Sequence, residues 1–265
     1  MRYRWLTAFP LLYAAAFAAV AWALLGSDAL DPFVRGQLLL VRVLAIVGCF
    51  AAVSAFERGD HLRRAWLWLG VATVLILARD VWRLAVDEAT LADPVGVGLT
   101  GLWLLSNVAL LTGVWLLARS WRVAAIDLPG GRGGVITVTV IAAVLALAVA
   151  GPFAWRYAQA VMGGDWAALP SLVSAVVDIL ALCLLAPLFL TAMGLRGGLF
   201  AWPWALITAS MFSWVLYDAA AGLAPTLDLR GFPLTDVFRG LAQNFVFAAG
   251  LAQRFAVTRV RQARG

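Results

Sequence analysis

Lysine is absent from this chain, so all 20 of its basic residues are arginines, and it holds one histidine and two cysteines in 265 residues. Without lysine there is no retinal Schiff base and no other lysine imine. The single histidine, His61, is expected in a short cytoplasmic loop, which excludes bis-histidine haem ligation inside a helix bundle. Cys49 and Cys183 both fall inside apolar runs. They read as small packing residues, and they supply neither a disulfide framework nor a metal site. Charge of either sign is scarce: 13% of residues are charged and 64% are hydrophobic, against about 25% charged in soluble domains. Strict alternation of apolar and polar residues, the mark of a transmembrane β-barrel, is missing as well.

What is present is long apolar runs, and mean hydropathy is +0.93. A bilayer core about 30 Å thick needs roughly 20 apolar residues per helix. Such runs cover 5–25, 37–56, 65–85, 96–118, 135–157, 170–193, 201–222 and 234–256. No small-residue cleavage site closes the first run, so it reads as a span and not as a cleaved signal peptide. The expected fold class is therefore all-α, a polytopic membrane helix bundle with about eight transmembrane helices and the lipid bilayer as its first partner. Net charge is +6, but the arginines sort by side of the membrane, and no nucleic-acid partner is implied. Arg2, Arg4, Arg58, Arg63, Arg64, Arg119, Arg122, Arg132, Arg196, Arg254, Arg259, Arg261 and Arg264 lie on one side. Asp28, Asp31, Asp87, Glu88, Asp93, Asp165 and Asp228 lie on the other. Under the positive-inside rule both termini are cytoplasmic, which requires an even number of spans.

An internal repeat is the most informative pattern. Residues 59–80 (GDHLRRAWLWLGVATVLILARD) align with 197–218 (GGLFAWPWALITASMFSWVLYD) at an offset of 138. The offset pairs Arg58 with Arg196, Trp66 with Trp204 and Asp80 with Asp218. At an offset of 137, Asn107 and Gly113 pair with Asn244 and Gly250. The first and fifth helices hardly match. The pattern predicts one membrane domain in two like-oriented halves: residues 1–128, a glycine-rich cytoplasmic linker at 129–134, and residues 135–265 with a short basic tail. Two parallel halves of four helices are related by a pseudo-two-fold axis along the membrane normal, and binding sites tend to lie where such halves meet.

Ionisable residues within the membrane cost about 2.5–3.5 kcal/mol each, so each requires a partner or a purpose. At 1.5 Å per residue, Arg42, Asp178 and Arg239 lie roughly 8–12 Å below the outer surface. Asp80 and Asp218 reach a similar level from below, and Asn107, Gln243 and Asn244 lie about 14–16 Å down. The inner halves of the helices carry no charge. These eight residues form a candidate outward-facing pocket for a small ligand from the extracytoplasmic side. Asp80 with Arg83 and Asp236 with Arg239 have the i,i+3 spacing for pairs along one helix. Arg42, Asp178 and Asp218 have no charged neighbour on their own helix and must find partners across helices, face water or, for the aspartates, stay protonated. The same charges can serve instead as ion pairs holding the halves together. Trp5, Trp66, Trp68, Trp121, Trp202 and Trp204 inside, and Trp82, Trp155 and Trp166 outside, read as an aromatic belt. Trp103 and Trp214 lie deeper; packing is the leading reading, with lining of a cavity as the alternative. Pro152 and Pro187 interrupt two of the helices and are expected to kink them.

Within residues 176–257 an early aspartate (Asp178), an arginine-glycine turn (Arg196, Gly197), a Pro203–Trp204 helix start and a late aspartate (Asp218) precede a last helix that runs into arginines. This order resembles the polytopic membrane sensory modules of bacterial signalling proteins of the diguanylate cyclase and histidine kinase type. The resemblance implies a multi-pass protein of the cell inner membrane that senses through its helices and passes a signal to a cytoplasmic output domain. The sequence ends at Gly265 without such a domain, so signalling is expected to run through a separate output protein.

Enzymatic motifs are missing: there is no HExxH, no GxSxG and no carboxylate pair at enzyme-like spacing. Ser54, Ser106, Ser210 and Ser213 have no histidine partner and read as helix-packing residues. No catalytic residue, cofactor or metal is assigned. The leading expectation is a non-enzymatic membrane sensor or ligand-binding module. The alternatives are a small transporter built from two parallel repeats and a structural subunit of a larger membrane complex.

Overall fold

The computed structural model of the chain describes residues 2–86, 94–123, 130–194, 201–223 and 231–263. The predicted loop residues Asp87, Glu88, Asp93, Arg196, Gly197 and Asp228, together with Arg264, lie outside the described residues. All regular structure among the described residues is helical: α1 (Arg2–Ala23), α2 (Leu30–Ala55), α3 (His61–Ala85), α4 (Pro94–Val123), α5 (Gly131–Met162), α6 (Leu169–Gly194), α7 (Ala201–Leu223) and α8 (Leu234–Gln262), with one 3-10 turn at Trp166–Ala168.

Helices α1 to α7 are each long and apolar enough to cross a membrane. The chain is thus a multi-pass helical bundle built to contact lipid. Helix α8 is long enough, at 29 residues, but falls short in apolarity. It carries Asp236, Arg239, Arg254, Arg259 and Arg261, and it buries twelve residues among its neighbours. Helix α8 packs extensively against α2 and α7, and also against α1. A helix enclosed by other helices needs no apolar surface for lipid, which is why its composition departs from theirs.

Several helix ends differ from the hydropathy estimate. Helix α2 begins seven residues before the predicted 37, at Leu30. Helix α5 begins at Gly131, so most of the glycine-rich stretch 129–134 is the first turn of α5 and not a linker. Gly130 stands just before it at φ 78°, a left-handed conformation open to glycine, and its carbonyl accepts the Gly134 N–H at 3.0 Å. His61 is the first residue of α3, not a loop residue. Its Nε2–H donates to the Leu116 carbonyl at 2.7 Å, tying α3 to α4.

Six helices show matching neighbours. Helix α3 packs on α4 as α7 packs on α8, α2 on α3 as α6 on α7, and α2 on α8 as α6 on α4. Helices α1 and α5 break the pattern: α1 lies mainly against α8, whereas α5 lies against α6 and α7. Trp66 and Trp204 occupy like places, both buried, at 1% and 4% exposure. They are core residues, contrary to the expected aromatic belt. Trp5, Trp68 and Trp202 at one end of the bundle, and Trp82, Trp155 and Trp166 at the other, are exposed as a belt requires.

The tightest crossing joins α2 to α8. A Cβ on Gly48 would meet Phe247 Cα at 2.6 Å, and one on Gly250 would run into the Gly48 carbonyl. Buried Ala45, Cys49 and Ala52 of α2 and Ala248, Ala249 and Ala252 of α8 continue this small-residue seam. Lipid gives no hydrophobic drive for helices to associate, so close approach through small residues supplies the dispersion contact instead.

Candidate functional site

Away from that seam, toward the end where α3 and α7 finish and α2, α4, α6 and α8 begin, the helices part. A cavity of about 290 Å³ lies between α2, α3, α4, α6, α7 and α8, near the small end of the range for ligand sites, about 300–1,000 Å³. Those are the six helices with matching neighbours, three from α1–α4 and three from α5–α8. A second recess of about 720 Å³ adjoins it and shares Asp80, Arg83 and Arg239 with it. The recess reaches Asp31 and Arg35 near the start of α2 and Thr235 near the start of α8. It forms a vestibule at the bundle end, and the three shared residues stand between vestibule and cavity.

Six of the eight sequence candidates line the cavity: Arg42, Asp80, Asn107, Asp178, Arg239 and Gln243. Asp218 and Asn244 do not. They are buried behind it at 8% and 0% exposure, and Asp218 Oδ2 and Asn244 Oδ1 have no hydrogen-bond partner among the described residues. Both are repeat mates of residues that do line the cavity, Asp80 and Asn107. The two asparagines share one conformation. Asn107 Nδ2 donates to the Trp103 carbonyl at 3.1 Å, and Asn244 Nδ2 donates to the Gly240 carbonyl at 3.0 Å, four residues back in each case.

The ion pairing departs from the i,i+3 expectation at Asp80. Its Oδ2 accepts from Arg42 Nε at 2.5 Å, and its Oδ1 lies 3.5 Å from Arg79 Nη1. Arg83, the expected partner, is a cavity-lining residue outside that pair. Arg42, which lacks a charged neighbour on its own helix, reaches across to α3. A cross-helix bond was preferred because α2 and α3 pack side by side, whereas an i,i+3 pair along one helix holds two long side chains at the surface for little gain. The Asp236–Arg239 pair forms as spaced, at 3.2 Å. Arg239 Nη2 also donates to the Tyr217 hydroxyl at 2.9 Å. The Arg79 guanidinium lies 4.3 Å over the Trp103 ring, a cation–π contact. Among the described residues, the buried arginine and aspartate side chains, Arg42, Asp178 and Asp218, all belong to this layer.

Several lining residues were missed or read differently. Trp103 and Trp214, expected as packing, line the cavity, as do Thr73, Ser106, Ser174 and Tyr217. Helical spacing is the signal that reaches most of them. Stepping back from Asp80 by three or four residues gives Ile76, Thr73 and Leu69, and from Asn107 gives Trp103. From Asp218 the same steps give Trp214 and Met211, both lining residues, although Asp218 itself does not line the cavity. Toward the other end of α8, Gln253 is fully buried with both amide atoms unpaired among the described residues. It is a polar group that a search for charge overlooks.

No histidine, cysteine and carboxylate cluster able to hold a metal ion occurs among the described residues. The cavity's own side chains offer guanidinium, carboxylate, amide, hydroxyl and aromatic groups to a ligand in a partly enclosed space. No protein-family model matches the chain, and no curated protein or solved structure proves similar to it.

Proposed function

We propose that the chain is a non-enzymatic integral membrane module that binds a small ligand in the cavity and serves as a sensor. In this reading α8 is the eighth span and both termini are cytoplasmic. The vestibule then faces the extracytoplasmic side of the cell inner membrane. The occupied state is passed to a separate cytoplasmic output protein, or to a partner in a membrane complex, through α8, which touches the cavity near its start and ends in exposed arginines. One observation carries the reading. Buried polar groups line a partly enclosed cavity, and Arg42 Nη1, Arg79 Nε and Gln243 Oε1 among them have no hydrogen-bond partner among the described residues, although each such atom costs free energy unless something satisfies it. The resemblance of residues 176–257 to bacterial sensory modules points the same way.

A cavity-filling variant tests it. Ser174→Phe, which adds a ring from α6, should abolish the thermal stabilisation that cavity ligands give the purified chain. Stabilisation of equal size by every active compound in Ser174→Phe and in the parent chain would sink the reading. A small transporter built from parallel halves is the second reading, favoured by Gln253, whose unpaired amide lies beyond the cavity along α8. Uptake of a stabilising compound into proteoliposomes would favour transport over sensing.

A further inference from the structure

The cavity's own donors indicate what kind of ligand fits. Arg42 is 3% exposed. Asp80 takes its Nε–H, while its Nη1 is buried with no hydrogen-bond partner among the described residues. Arg79 shares the same carboxylate at the longer distance of 3.5 Å, and its Nε is also buried and unpartnered. A guanidinium carries five N–H donors and no acceptor. One carboxylate divided between two guanidinium groups leaves Arg42 Nη1 and Arg79 Nε unserved, and a buried, charged donor without an acceptor is expensive. Arg239 differs, because Asp236 and Tyr217 hold it.

Charge points the same way. Four arginines line the cavity, Arg42, Arg79, Arg83 and Arg239, against two aspartates, Asp80 and Asp178. Of the other acids in this layer, Asp236 is engaged with Arg239 at the vestibule and Asp218 does not line the cavity. A cationic ligand would meet the arginines with Asp80 already occupied. Trp103, Trp214 and Met211 add aromatic and apolar surface to the lining.

Resting on the ligand-binding reading, we infer that the cavity takes a small organic anion. Its carboxylate or phosphate group is received by Arg42 and Arg79, and its apolar body lies against Trp103 and Trp214. Arginine forks match the geometry of both oxyanions, and such charge-assisted bonds are the strong ones. A free solute and a lipid headgroup share this chemistry, and the vestibule is open to either.

The test uses the full chain in phosphatidylcholine nanodiscs, with thermal unfolding followed in the presence of benzoate, phenyl phosphate, benzamide or benzylammonium. The two anions should raise the unfolding temperature and the amide and ammonium should not. The concentration giving half-maximal protection should rise about tenfold in Arg79→Gln, the loss expected for one charge-assisted bond. Arg42→Gln should lose protection entirely; because it also breaks the Asp80 pair, Arg79→Gln decides the matter if Arg42→Gln fails to fold. In nanodiscs containing phosphatidylglycerol, protection without any soluble anion, weakened by the same variant, assigns the anion to a lipid headgroup. Protection by soluble anions in phosphatidylcholine alone assigns it to a free solute. Protection by benzamide or benzylammonium that Ser174→Phe abolishes would keep the binding cavity and overturn its preference for anions. Protection by none of the four probes and by no anionic lipid, or equal protection in Ser174→Phe, would overturn both.

Discussion

Helices α2 and α8 meet twice in different ways. At Gly48 and Gly250 their backbones touch, with alanines and Cys49 filling the seam on either side. Toward the vestibule the same two helices carry Arg42 and Arg239, stand apart, and border a cavity. The small-residue layer supplies dispersion contact over a long seam and leaves no room. The charged layer supplies few, strong, directional bonds and leaves space. One layer holds the pair together so that the other can remain open. This division matters in lipid, where burying apolar surface between helices gains little and packing must do the work.

The comparison can be broken most forcefully in the charged layer. Arg42→Ala strands the Asp80 carboxylate with only the longer Arg79 contact, and removing one partner of a buried pair costs about 3–5 kcal/mol. Reversible unfolding in mixed micelles should show a loss of that size, and a loss below about 1 kcal/mol would mean that the pair is solvated. Glycines sharpen the contrast along a single helix. Gly250→Ala pushes a methyl into the Gly48 backbone, which has no flexible end to yield, so about 1–3 kcal/mol of stability should be lost. Gly240→Ala, ten residues earlier on α8, meets nothing within 4 Å. There the same substitution should add about 0.5–1 kcal/mol by removing glycine's excess backbone entropy. Equal effects at both positions would show that the seam is no tighter than the open end. The smallest effect is expected at the far end, where Arg261 lies 3.4 Å from Glu57 with both side chains largely exposed. Arg261→Ala should change stability by about 0–1 kcal/mol.

Much of this was legible in the residues. Apolar runs of membrane length announce the bundle, and the restriction of buried charge to one layer marks where the polar cavity lies. Six of eight candidate residues line it. The two exceptions show the limit of pattern. Asp218 and Asn244 match Asp80 and Asn107 in sequence, but α1 leans on α8 in one half while α5 leans on α6 and α7 in the other. Unequal neighbours turn equivalent residues to unequal surroundings. Helix α8 shows the converse: its low hydropathy, which weakens it as a span on composition, follows from its enclosed position.

Taken by itself, the sequence determined the class of solvent, the number of long helices and the depth at which charge is buried, because each depends only on the order of residues along one helix. Tertiary structure decided which group on another helix Arg42 pairs with, an aspartate 38 residues away. It also decided that Asp80 abandons Arg83, and that Trp66 and Trp204 turn inward. Those outcomes depend on how each helix is rotated and crossed against the next. Here the rotation of α2 against α8 is set where Gly48 meets Gly250, by contacts that no single helix contains.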